Sequence, residues 1–216
     1  IQSLKRTTNV YLQEVGAFAP KTIEYSARQL AADIAVYTNI GVSHIESYGS
    51  QEALTAEKLS LSTFGKPDGL AIINYDDPIL MGHRFTQQVI TYSLKNPQAM
   101  YYAKNILRAD DGYTFTLVDR AAAEEHPAQI HVLGEHNILN AVVAFAVGKA
   151  LKLPDEEILA GIASYHPSGM RQNLLQAGKY RVFADCYNSS LLAVDNTLKV
   201  LDELRLPDET KRIAVL

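Results

Sequence analysis

Apolar residues follow two rhythms along the 216-residue chain. Short apolar runs bounded by turn residues read as strands, and stretches with apolar positions three and four apart read as helices. Residues 9–15, Asn-Val-Tyr-Leu-Gln-Glu-Val, are β-prone and end at Gly16, so a strand is expected there. Residues 22–31 have helical composition. Residues 33–40 form a largely apolar run ending at Gly41, as a buried parallel strand does. Ser50, ahead of Gln51-Glu52-Ala53, predicts an N-capped helix over 51–63. After the turn at Gly65 to Gly69, residues 70–74 read as a second buried strand, broken by Asp76-Asp77-Pro78. Strand, helix and strand in alternation predict an α/β layer with a parallel sheet.

The pattern then changes. Residues 88–94, 99–106, 113–119 and 128–133 are short β-prone segments and predict an antiparallel strip on the sheet edge. Gly134-Glu135-His136-Asn137 leads into a helix over 137–151, with Leu139, Val142, Val143 and Ala146 at helical spacing. Pro154-Asp155-Glu156 opens the next helix. His166-Pro167-Ser168-Gly169 is the expected hinge. Beyond it a strand over 180–185, a helix over 191–204 and a strand over 212–216 predict the opening β-α-β of a second, Rossmann-like α/β domain. The expected division is 1–167 and 168–216.

Composition narrows the function classes. The chain is 47% hydrophobic and 20% charged, an ordinary globular balance, and its net charge of −4 offers no basic footprint for nucleic acid. A single cysteine, Cys186, excludes a disulfide framework. No apolar run approaches a membrane span, and the first residues do not read as a signal peptide. A monomer without membrane or nucleic-acid partners is expected. The chain starts at Ile1 and stops within an apolar run, so truncation at both ends is expected.

Six polar blocks stand out in order: Glu14-Val15-Gly16-Ala17; Thr38 to His44 with Gly49-Ser50 and Lys58; Asn74-Tyr75-Asp76-Asp77-Pro78; Gly134 to Asn140; Gly169-Met170-Arg171; and Asp185-Cys186-Tyr187-Asn188. Together they resemble the Mur ligase family over nearly the whole chain. The Asp-x-Tyr-Asn form is most similar to the branch that adds D-alanyl-D-alanine to UDP-N-acetylmuramoyl-tripeptide. The resemblance implies a P-loop-type central domain followed by the start of the C-terminal domain. It also implies a bacterial cytoplasmic, ATP- and Mg²⁺-dependent peptide ligase of cell-wall synthesis. Its partners would be a UDP-linked muramoyl peptide and an amino acid or dipeptide. The related alternatives are a Mur-type ligase acting on poly-amino acids or lipid-linked precursors, and a catalytically silent nucleotide-binding paralogue.

The resemblance assigns roles residue by residue. Glu14 and His44 become Mg²⁺-site ligands; a carboxylate suits the hard cation, while histidine is unusual for it. Lys58 matches a lysine that the family carbamylates with CO₂. On residue chemistry alone Lys58 also reads as a helix-surface lysine pairing with an acid near Glu57. An acid common two or three residues after this lysine is replaced here by Ser60 and Leu61. Asn137 and Asn140 would flank adenine, and Asn137 also reads as a helix cap. His136 reads as ordering that turn. Arg171 would reach the ATP phosphates and Asp185 the ribose. For Tyr187 and Asn188, a turn role stands beside a nucleotide or dipeptide role. Asn74, Asp76 and Asp77 read as a structural turn. No Gly-x-x-x-x-Gly-Lys-[Ser/Thr] occurs in these residues, and the family carries that loop upstream of the Glu14 block. The chain alone is therefore expected not to turn over ATP.

Overall fold

The computed structural model describes residues 7–41, 45–187, 191–204 and 211–215. Six strands form one sheet in sequence order: β1 (Ile34–Tyr37), β2 (Leu70–Asn74), β3 (Gln88–Ser93), β4 (Tyr101–Arg108), β5 (Tyr113–Asp119) and β6 (Glu124–Ile130). The sheet is mostly parallel with antiparallel strands, as the α/β alternation predicts. The edge strip differs from expectation in one pairing. β3 joins β4 in parallel, Tyr92 opposite Tyr101, and only β4–β5 and β5–β6 are antiparallel.

The chain divides into two compact units. The first falls within Ile1–Ala35, Ile40–Ala71 and Arg84–Gln88. It carries α1 (Thr22–Leu30), α2 (Ile45–Tyr48) and α3 (Gln51–Thr63). Ser50 caps α3 as predicted, its side chain accepting from the Ala53 amide at 3.1 Å. Ala17, Ile23 and Leu54 form the buried centre, with Val15, Tyr48 and Leu61 packed against it.

The second unit comprises Val36–Asn39, Ile72–His83 and the described residues from Val89 onward. It holds α4 (Pro78–Gly82), α5 (Glu135–Ala150) and α6 (Asp155–Ala163). Along β5, Tyr113, Phe115 and Leu117 alternate into the core. α5 lays Ile138, Val142 and Phe145 on this sheet, Phe145 meeting Tyr101 edge-on at 5.7 Å. β6 starts at Glu124, four residues before the expected 128. Pro127 lies inside it, which is tolerated because β6 is the edge strand.

Two expected strands do not appear among the described residues. Residues 9–15 have no regular structure, and Leu12 is 85% exposed. Residues 211–215 are likewise irregular, with Val215 92% exposed. Both have strand composition, yet neither has a ladder partner among the described residues, and unpaired backbone prefers water. In the C-terminal stretch, the expected strand over 180–185 and helix over 191–204 are present as β8 (Tyr180–Ala184) and α7 (Leu191–Glu203), and an additional strand, β7 (Asn173–Ala177), pairs antiparallel with β8. Leu133 packs with Val200 and Leu204 of this stretch.

Candidate functional site

In the first unit, Glu14 is exposed and precedes the segment that packs Val15 and Ala17 against Leu54 of α3. Contrary to expectation it does not end a strand, because residues 9–15 have no regular structure. What holds it is hydrophobic anchoring of the next residues, and the Tyr48 hydroxyl adds a bond to the Ala19 carbonyl at 2.7 Å. Lys58 lies one turn beyond Leu54 on α3, so both share a helix face. It is half-buried, and its Nζ donates to the Gly41 carbonyl at 3.2 Å. His44 lies outside the described residues.

Glu57 has a role that sequence reading missed. Its two carboxylate oxygens accept from the Lys21 and Ile23 amides at 2.9 and 2.7 Å. The N-cap of α1, Lys21, supplies no side-chain cap. An acid from α3 thus satisfies the first free amides of α1 and opposes its positive end. Only the three-dimensional packing of α1 on α3 reveals this pairing across 34 to 36 residues.

In the second unit, the Asn74 to Pro78 block is structural, as read. The buried Asn74 amide donates to the Thr38 carbonyl at 3.0 Å. Asp77 caps α4 by accepting from the Ile79 and Leu80 amides at 2.9 and 3.1 Å. Asp76 accepts from the Ser93 hydroxyl and the Leu94 amide.

The start of α5 gathers the nucleotide candidates. Gly134 is its N-cap at φ 92°. A Cβ there would lie 2.4 Å from the His136 ring and 3.0 Å from Val200. Asn137 is therefore inside the helix rather than its cap. Its Nδ2 donates to the Leu133 carbonyl and to Gln172 Oε1, both at 2.7 Å. Asn140 Nδ2 donates to Asn137 Oδ1 at 3.2 Å. Gln172 Nε2 meets His136 Nε2 at 2.9 Å. Burial holds the His136 pKa below its usual range, against the opposing pull of the Asp185 carboxylate.

Asp185 also accepts from the Thr197 hydroxyl of α7. The Arg171 guanidinium lies 4.1 Å from the centroid of the exposed Tyr187 ring. The Cys186 amide donates to the Met170 carbonyl at 3.0 Å, tying these two blocks together. Asn188 lies outside the described residues. A groove of about 590 Å³ between β4–β6 and α6, lined by Leu107, Thr116, Gln129 and Leu159 among others, includes none of the predicted residues.

Lys149 anchors a separate cluster. Its Nζ contacts Asp155 at 2.9 Å, Glu124 at 3.5 Å and the buried Asp119 at 3.6 Å. Burial pulls its pKa down, and the three carboxylates outweigh burial and raise it. The cluster ties α5 and α6 to β5 and β6. Among the described residues no helix is long and apolar enough to cross a membrane.

Residues 1–148 match the Mur ligase middle domain. The chain is 27% identical over 205 residues to the UDP-N-acetylmuramoyl-tripeptide--D-alanyl-D-alanine ligase of Bacillus subtilis (strain 168), covering 94% of this chain and 44% of that protein. It is 33% identical over 184 residues to the UDP-N-acetylmuramoyl-L-alanyl-D-glutamate--2,6-diaminopimelate ligase of Pseudomonas syringae pv. tomato, covering 83% of this chain and 36% of that protein. In fold it is similar to the MurF ligase of Thermotoga maritima solved with ADP. That likeness has a TM-score of 0.76 at 18% identity and covers 87% of this chain and 43% of that one. The chain thus spans less than half the length of these relatives.

Proposed function

The chain belongs to the Mur ligase family through its middle domain, and on that premise we propose that it is the nucleotide-handling part of an ATP-dependent peptide ligase. The reaction is addition of D-alanyl-D-alanine to UDP-N-acetylmuramoyl-tripeptide in the bacterial cytoplasm, by an enzyme acting as a monomer. ATP transfers its γ-phosphoryl group to the peptide carboxylate. The dipeptide amine then attacks the acyl phosphate, forming the amide and releasing phosphate and a proton. The observation that carries this reading is the amide pair Asn137 and Asn140 at the start of α5, 3.2 Å apart, in a chain similar over 94% of its length to such a ligase.

The residues take distinct roles. Asn137 and Asn140 face the adenine edge, Asp185 holds the ribose, and Arg171, backed by Tyr187, reaches the phosphates with Asn188 beside it. The domain boundary lies near 167, so Arg171 and Asp185 belong to the C-terminal domain. The exposed Glu14 carboxylate fits a hard cation and would hold, with His44, Mg²⁺, which would supply charge neutralisation at the phosphates. Lys58 in its neutral form adds CO₂ at Nζ, losing a proton and becoming a carbamate anion. A ¹³C resonance of carbamate after exposure to ¹³C-bicarbonate, missing in Lys58→Arg, tests that step.

The 33% identity to the diaminopimelate ligase favours one rival, the same chemistry with another amine. The test uses a protein carrying this chain together with a phosphate-binding loop. It is supplied with ATP, Mg²⁺, UDP-N-acetylmuramoyl-tripeptide and D-alanyl-D-alanine, or with UDP-N-acetylmuramoyl-dipeptide and diaminopimelate. Phosphate release that needs the tripeptide and the dipeptide amine supports the proposal. Release only with diaminopimelate moves it to the rival, and release with neither overturns it.

A further inference from the structure

The geometry points to Gln172, in the segment leading into β7, as a positioning residue that takes up the second amide hydrogen of Asn137 and so sets what the Asn137–Asn140 pair offers a ligand. Gln172 lies outside the matched middle domain and its backbone is left-handed, φ 51°. A non-glycine residue in that region needs a compensating contact. Here the contact is a bridge: Gln172 Oε1 accepts from Asn137 Nδ2 at 2.7 Å, and its Nε2 reaches His136 Nε2 at 2.9 Å.

The chain of bonds has one direction. The Leu133 carbonyl is a fixed acceptor, so the Asn137 amide must turn its nitrogen toward it, at 2.7 Å. An amide nitrogen has two hydrogens, and the second goes to Gln172 Oε1. Gln172 must then present its own N–H to His136, whose Nε2 accepts as a neutral imidazole with the proton on Nδ1. At the other end, Asn137 Oδ1 accepts from Asn140 Nδ2. Each bond polarises the next in the same sense.

The consequence is a division of labour. Both Asn137 hydrogens are consumed, so Asn137 offers an incoming base only a carbonyl lone pair. Asn140 keeps one N–H and its own carbonyl. An acceptor beside a donor–acceptor pair matches a base edge bearing an amino group next to a ring nitrogen. Without Gln172, the Leu133 carbonyl still orients the Asn137 amide, but its second hydrogen is unspent and Asn137 offers the base a donor as well as an acceptor. This consequence rests on the reading of Asn137 and Asn140 as the adenine-facing pair.

The test compares the 216-residue chain with Gln172→Leu and Gln172→Glu. ADP affinity is measured by calorimetry, and the His136 imidazole is titrated by NMR. Leucine removes both bonds, and ADP affinity is expected to fall about tenfold, the scale of one charge-free hydrogen bond. Glutamate keeps the acceptor for Asn137 but reverses the link to His136. It is expected to lose less affinity than leucine and to raise the His136 midpoint, since a carboxylate favours the imidazolium. A bridge with only a packing role would leave that midpoint in place. Parent-like ADP affinity in Gln172→Leu overturns the proposal, as does one His136 midpoint shared by all three proteins. If the parent does not bind ADP, the nucleotide reading falls. The His136 titration then decides alone: a raised midpoint in Gln172→Glu supports the bridge, and an unchanged one overturns it.

Discussion

At the scale of single residues, long-range bonds decide what a polar side chain does. Glu57 spends both oxygens on the start of α1, and its neighbour Lys58 bonds the Gly41 carbonyl. No local pattern encodes a bond spanning 34 residues. Glu57→Ala should destabilise the chain by about 1–2 kcal/mol, the usual cost of losing a helix cap, as read from urea denaturation. A loss below a few tenths of a kcal/mol would show that water replaces the carboxylate. His136 sets a pH dependence. Its pKa in the folded chain is lowered, chiefly by burial, so the unfolded chain binds its proton more readily. The stabilisation by neutral His136 is therefore complete above the unfolded value of about 6.5. It is lost as pH falls through the folded value. Urea midpoints should drop below about pH 6.5, and His136→Asn should flatten that part of the profile. An identical profile in the variant would contradict the assignment.

At the scale of elements, helices were easier to locate than strands. α3 begins and ends where its cap and apolar spacing place it, because those signals are local. α5 starts two residues earlier than its apolar rhythm, since Gly134 supplies the left-handed cap and room for the His136 ring. Strands depend on neighbours. Residues 9–15 and 211–215 have strand composition without a described partner, whereas β6 forms around Pro127 because it lies on an edge. The Asn173–Ala177 strand was missed since its residues are half-buried or exposed and carry no inward-facing pattern. Two substitutions probe the packing of α5. Phe145→Ala, at a fully buried ring against Tyr101, should cost about 3–5 kcal/mol. Lys149→Met leaves the buried Asp119 without its cation and should cost about 1–3 kcal/mol, with the loss shrinking when Asp119→Asn is added. Equal losses in the single and double variants would separate Lys149 from Asp119.

At the scale of the molecule, the α/β class and the family were legible from the order of blocks, and the middle-domain match agrees. The two compact units were not, because β1, β2 and β3 each contribute to both, and contiguous sequence cannot reveal that division. The candidate residues fall into these units by chemistry. Glu14 and Lys58 lie in the first, while Asn137, Asn140, Arg171 and Asp185 lie in the second. Without a phosphate-binding loop in its sequence, the chain should bind adenine nucleotide but release no phosphate from ATP. Phosphate release by the chain alone, abolished by Glu14→Gln, would overturn that expectation.

The central claim is that the start of α5 is a nucleotide site, and the most direct measurement is an ADP titration followed through the side-chain amide resonances of Asn137 and Asn140. The account predicts that both resonances shift together and saturate with one binding constant, while the exposed Asn105 amide stays in place. Saturating ADP that moves neither resonance, or shifts them no more than Asn105, would contradict it.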